Sequence, residues 1–275
     1  MSSGVPAAIL VGMDRPRVID VLGTADEAVV LPRLGGMARA DGVVVASERF
    51  WAFARRDGSV REGRMPSPPR LFRRLPVVRG LVRLGLALLP LFRGRGVARR
   101  RERVLLGTAI LAPFALYVLP PSARLPLTAA IAGALVLWLL RGRTLFLHGA
   151  EHRAITAAES SSLVASWNGL ARPSRFSPRC GTNFAALALP VSLAADRLWP
   201  LGVAAYTPFV VTLVTLGLTM ELWQLVQTSR HRVARVFLFP GLALQRLTTR
   251  EPSVEDTRVA LTAVASVLRR ELAAR

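Results

Sequence analysis

The stretch Leu-Gly-Val-Ala-Ala-Tyr-Thr-Pro-Phe-Val-Val-Thr-Leu-Val-Thr-Leu-Gly-Leu-Thr-Met-Glu, residues 201–221, decides the fold class. It carries no charge before Glu221. A helix needs roughly 20 apolar residues to cross a bilayer, and this run supplies them. Three further runs resemble it: Val104 to Ala123, Leu125 to Leu140, and Phe184 to Leu198 with Asp196-Arg197 near its end. Pro120-Pro121-Ser122 and Pro126 mark a turn between the first two. Together they predict a mainly α, polytopic helical membrane protein of about four spans, with a transmembrane hairpin over 104–140 and a pair of spans over 184–226. A re-entrant first hairpin is the alternative.

Composition agrees with that reading. The chain has 275 residues, is 52% hydrophobic and carries a formal net charge of +20, all 37 of its basic residues being arginine. Mean hydropathy is +0.39. Such apolar content coexists with such charge when the two are segregated into spans and flanks. The arginines cluster beside apolar runs and aromatic residues are few. This points to membrane lipids, through the positive-inside rule and anionic headgroups, and away from nucleic acid. The segment before the first span, residues 141–183 and the tail after the fourth are arginine-rich, whereas the short connections carry Arg124 and Arg197. The bias predicts a multi-pass protein of the cell membrane with both termini and the central loop in the cytoplasm. A single cysteine, Cys180, excludes an intramolecular disulfide. The N-terminus shows no signal-peptide pattern.

Outside the apolar runs, residues 1–65 read as a small β-rich cytoplasmic part. Gly42 to Ala46 and Phe50 to Ala54 are strand-like, and Asp57-Gly58 before Val60 is a hairpin signal. Residues 66–103 hold a proline-rich linker and then an amphipathic helix over 75–92. Its Arg79 and Arg83 face away from Val78, Leu81, Leu84 and Leu88, as an interfacial helix requires. In the cytoplasmic tail, residues 227–275, Ser253 and Asp256 form an N-cap pattern. Leu261, Val264, Leu268 and Leu272 then repeat at helical spacing.

The cytoplasmic loop over 141–183 carries the chemistry. In Leu147-His148-Gly149-Ala150-Glu151-His152 the two histidines lie at i and i+4, on one face of a helix. This H-x-x-E-H pattern is that of an inverted zinc-hydrolase motif, in which the glutamate is the general base. The helix stripe extends from His148 and His152 to Glu159, giving a His-His-Glu ligand set with Glu151 as the catalytic base. Cys180, in Pro178-Arg179-Cys180-Gly181, is a further candidate ligand, or a nucleophile. The expected cofactor is a divalent metal, zinc by its donors. The plainer reading makes the histidines hydrogen-bonding groups of a juxtamembrane helix. Glu221, at the end of a span, is a functional candidate or an interfacial acid.

Four motifs carry a family resemblance: Gly35-Gly36-Met37-Ala38 with Asp41-Gly42-Val43; His148 to His152; Pro178 to Thr182; and Pro240-Gly241 through Gln245-Arg246-Leu247-Thr248-Thr249-Arg250-Glu251-Pro252. In these the chain resembles the YqhQ-like family of bacterial membrane proteins, a domain of unknown function described as a predicted metal-dependent enzyme. The family usually has glutamate where this chain has Asp41, and a histidine just before the Pro-Arg-Cys-Gly run where this chain has Ser177. The resemblance implies a multi-span membrane protein with a metal-dependent activity and names no substrate.

The expected function is therefore a zinc hydrolase-like enzyme at the cytoplasmic membrane face. His148, His152 and either Glu159 or Cys180 hold the metal, and Glu151 activates water. The alternatives are a non-catalytic membrane scaffold or assembly factor, and a transporter or lipid-handling protein with Glu221, Asp196 and the histidines along a polar path.

Overall fold

A computed structural model describes residues 15–67, 74–92, 142–200, 206–229 and 236–274, together with Ile9–Leu10 and scattered positions between these ranges. The hairpin expected over 104–140 lies largely outside the described residues. The chain is mainly helical with a small N-terminal antiparallel sheet. It divides into two compact units. One comprises residues 1–67, 142–180 and 242–275; the other comprises 68–141 and 181–241.

The first unit is built on the sheet. Its strands are β1 (Ile9–Leu10), β2 (Gly35–Arg39), β3 (Gly42–Ala46), β4 (Phe50–Arg55) and β5 (Val60–Arg64), in the order β1-β5-β4-β3-β2 with every pair antiparallel. The β4–β5 hairpin turns where Asp57-Gly58 predicts. Gly58 has φ +84°, and Asp57 accepts from the Ser59 amide at 2.8 Å. β3 and β4 are buried on both faces, which explains their unbroken apolar runs. Val43, Val45, Ala52 and Ala54 face the core. On the opposite face, the guanidinium groups of Arg39 and Arg55 each lie 5.1 Å from the ring centre of Phe53.

Helices α1 (Arg15–Asp26), α3 (Thr144–Glu159), α4 (Leu163–Trp167) and α8 (Val254–Leu272) complete this unit. The N-cap of α8 is the expected one: the Ser253 side chain accepts from the Asp256 amide at 3.0 Å. The repeat Leu261, Val264, Leu268 is buried, and so are Ala263, Ala265, Ser266 and Val267. Burial extends this far round the helix because α8 runs through the centre, against α3, β3, β4, α1 and α4. Leu147, Leu163, Leu261 and Leu268 are fully enclosed, each contributing roughly 1.5–3 kcal/mol. Buried polar contacts fix the register of α8 on the sheet. Glu271 takes Ser47 and Arg49, and Glu62 takes Ser266 at 2.6 Å and Arg269 at 3.0 Å.

The second unit contains α2 (Val78–Phe92), α5 (Gly181–Arg197) and α6 (Thr207–Thr228). Helix α7 (Phe239–Thr248) begins in it and continues into the first unit. Among the described residues α6 alone is long and apolar enough to cross a membrane; the apolar helix over Gly181–Ala195 is shorter. The helix expected over 75–92 forms as α2. Its arginines engage α6, Arg79 pairing with Glu221 and Arg83 with Gln224. Gly80 and Gly217 let the two backbones meet, since a Cβ on Gly80 would lie 2.3 Å from the Gly217 carbonyl.

Candidate metal centre

Helix α3 is the spine of the site. It is buried over most of its length, so its polar residues are held in place by packing. Gly149 lets α3 cross the segment after α7, because a Cβ there would stand 2.2 Å from the Arg250 carbonyl. The same segment is tied back by the Arg250 amide, which donates to the Leu145 carbonyl at 2.9 Å.

His148 and His152 share a face of α3, their ring centres 4.5 Å apart. Each imidazole is oriented by a backbone carbonyl. His148 Nδ1 lies 2.8 Å from the Thr248 carbonyl and His152 Nδ1 lies 2.7 Å from the Arg175 carbonyl. A carbonyl only accepts, so both Nδ1 atoms carry the proton, and in the neutral rings both Nε2 atoms present lone pairs. His148 Nε2 lies 3.2 Å from Cys180 Sγ. His152 is 1% exposed, and its Nε2 is buried with no hydrogen-bond partner among the described residues. The ligand atoms of His148, His152 and Cys180 all lie within 4.8 Å of one another.

These donors fit a metal. Around a tetrahedral zinc, ligand atoms sit about 3.3–3.6 Å apart. The His148–Cys180 spacing of 3.2 Å is already close to this, while the full group, spread within 4.8 Å, must close by about 1 Å. An Nδ1–H bonded to a carbonyl is how metal-ligating histidines are commonly aligned. The unpartnered Nε2 of His152 is the kind of buried lone pair that a cation satisfies.

Glu151 lies between the two histidines in sequence and is 3% exposed. It faces β2 and accepts a hydrogen bond from the Ala38 amide. One of its oxygens, Oε2, is buried without a partner among the described residues. Gly36 makes room for it, since a Cβ there would come within 2.9 Å of the Glu151 side chain. Burial pushes the Glu151 carboxyl up to about 7, opposed by the charge of His148 and the Ala38 amide. Its oxygens are not part of the three-residue group.

Glu159 is not brought to that group. Its carboxylate pairs with Arg179 at 2.5 Å and lines a cavity of about 430 Å³ shared with residues 28–34. It follows the His148–His152 stripe, but seven residues of helix rise about 10 Å. The structure gives roles to groups that the sequence patterns left without one: Gly36 under Glu151, the carbonyls of Arg175 and Thr248, and Gln245. Gln245 is fully buried and hydrogen-bonded to both main-chain groups of Ser177. Its signal was a lone amide between Leu244 and Leu247 on an otherwise lipid-like helix.

A family model described as protein of unknown function (DUF1385) matches residues 141–270. That span contains every residue of the centre. The uncharacterized protein YqhQ of Bacillus subtilis (strain 168) is 33% identical over 128 residues, 45% of this chain and 40% of the relative. These matches support a YqhQ-like family. The family model begins after the Gly35–Val43 motif, so the strand that receives Glu151 lies outside the matched residues. The relative's own length is covered to less than half. No solved structure matches the chain.

Proposed function

We propose that the chain is a metal-dependent enzyme of the hydrolase type, with His148, His152 and Cys180 as the ligands of a zinc-class cation. One observation carries the proposal: both imidazoles give their Nδ1 proton to a backbone carbonyl, which leaves both Nε2 atoms free to accept a cation, in two rings grouped with one thiol sulfur. Three protein ligands among the described residues would leave a coordination position open, as catalytic rather than structural zinc sites do. A cation bound there supplies Lewis acidity and lowers the pKa of water. Glu151, on the same helix and buried beside His148, is the group that would take and return a proton. The proposal places the centre at the cytoplasmic face of a multi-pass membrane protein with about four spans and both termini in the cytoplasm. The apolar length of α6 and the arginine bias support that placement.

The deciding experiment is elemental analysis of purified protein after zinc loading and desalting, wild type against His148→Ala and His152→Ala. The expected outcome is about one zinc per chain in the wild type and little in either variant. No zinc in the wild type would end this reading.

The 3.2 Å contact between Cys180 and His148 favours one other reading, a thiol nucleophile activated by imidazole. The two separate on alkylation. A metal-liganded Cys180 is protected from iodoacetamide by zinc, whereas a nucleophile is modified at the same rate with or without it.

A further inference from the structure

Two of the atoms that shape the centre belong to one irregular loop. Residues 171–180 contain no helix or strand, yet they supply the Arg175 carbonyl that orients His152 and the Cys180 sulfur itself. Irregular chain does not hold a ligand atom in place unless something fixes it. Arg153 holds the Pro173 carbonyl at 3.1 Å and Glu159 holds Arg179, and between them Gln245 on α7 grips the main chain itself. Its Oε1 accepts from the Ser177 amide at 2.8 Å, and its Nε2 donates to the Ser177 carbonyl at 2.8 Å. The side-chain amide thus substitutes for a neighbouring strand, meeting both main-chain groups of one residue. Ser177 lies two residues after Arg175 and three before Cys180. Gln245 lies one helical turn before Thr248, whose carbonyl orients His148. Both residues of the clamp are buried, and Thr249 Oγ1 donates to the main-chain carbonyl of Gln245 at 2.6 Å.

We infer that Gln245 is the positioning residue of the metal centre: by clamping Ser177 it sets Cys180 and the His152 acceptor against the His148 acceptor, without touching the metal. The inference rests on the reading of His148, His152 and Cys180 as ligands. It explains why a buried amide sits on an apolar helix, where an aliphatic side chain would pack without needing two hydrogen bonds.

The test uses the full chain in detergent. Gln245→Met keeps the length of the side chain and removes both hydrogen bonds. Gln245→Glu keeps an acceptor for the Ser177 amide but sets an oxygen against the Ser177 carbonyl. Zinc affinity is measured by competition with a chromophoric chelator, and coordination geometry by the thiolate-to-metal and ligand-field bands of the cobalt(II)-loaded protein. Both variants should bind zinc roughly 10- to 100-fold more weakly than the wild type. Their cobalt bands should shift in position or intensity. Leu163→Ala, in the core away from the clamp, controls for simple destabilisation. It should lower the melting temperature and leave zinc affinity and cobalt bands alone. Should Gln245→Met not fold, Gln245→Glu carries the test. Wild-type zinc affinity with unchanged cobalt bands in a folded Gln245 variant overturns the inference and leaves the metal reading standing. An equal affinity loss in Leu163→Ala also overturns it. Absence of metal in the wild type removes both readings together.

Discussion

Replacing Gly149 with alanine tests how the fold and the centre are coupled. The new Cβ would stand 2.2 Å from the Arg250 carbonyl oxygen and 3.3 Å from Pro252 Cδ. An ordinary carbon–oxygen contact is about 3.3 Å, so the two backbones must part by roughly 1 Å. The obstacle is main chain and cannot rotate aside. It is pinned by the Arg250–Leu145 hydrogen bond and by Arg153, which holds Glu251 at 2.7 Å. Alanine gains up to about 1 kcal/mol of helix propensity over glycine. Overpacking costs about 1–3 kcal/mol, with a backbone clash at the upper end. The net expectation is destabilisation by roughly 1–2 kcal/mol. The displacement also reaches Thr248, two residues before Arg250. A 2.8 Å hydrogen bond lengthened by most of 1 Å is lost, which frees the His148 ring. Thermal unfolding and zinc competition on the same sample should therefore fall together in Gly149→Ala. Gly85→Ala is the matched control: it is also in a helix, and its Cβ would meet nothing within 4 Å. It should be neutral or stabilising. A Gly149→Ala variant with unchanged melting temperature and zinc affinity would refute the reasoning.

Other expectations follow from the same geometry. In metal-free protein the raised Glu151 pKa makes the fold favour the protonated acid. Its contribution is therefore complete below about 4.5 and declines as pH rises through about 7. Urea midpoints measured between these values should fall with rising pH in the wild type and stay flatter in Glu151→Gln; parallel profiles would discount the burial argument. A fragment ending at residue 67 should lack cooperative β structure by circular dichroism, because the inner face of its sheet is covered by α8 and α3. A cooperative melt from that fragment would show that the sheet folds alone. Reporter fusions at residue 160 and at the C-terminus should both report cytoplasm, and a periplasmic signal at residue 160 would overturn the four-span arrangement.

Local chemistry was legible in the sequence wherever one short segment determines the outcome. Asp57-Gly58 needs no partner to turn, Ser253 caps the helix it precedes, and the apolar run locates α6, although the helix begins at Thr207 and continues past Glu221 to Thr228. His148 and His152 share a face in any helix, so their meeting follows from spacing alone. Contacts between distant segments were harder to read. β2 contains Gly35-Gly36, poor strand residues on propensity, and is a strand because β3 pairs with it and Gly36 must clear Glu151. Glu159 matches the histidine stripe in angle while axial rise carries it to Arg179. The sequence showed Gln245 only as one member of the 240–252 motif, because its role depends on a loop 68 residues earlier.

The division of the chain also sets an order of events during synthesis. Unit one is completed by residues 242–275, and everything between its pieces is made first. The ribosome releases the sheet early, then His148, His152 and Cys180, and only later Gln245, Thr248 and α8. Until then the apolar inner face of the sheet and the histidine helix have no lasting cover, the condition in which nascent chains attract chaperones or aggregate. A chain cut short after residue 240 would keep all three candidate ligands and the whole of α6, and still be unable to close the centre. On the metal reading, truncation after residue 240 should abolish zinc binding as completely as His148→Ala.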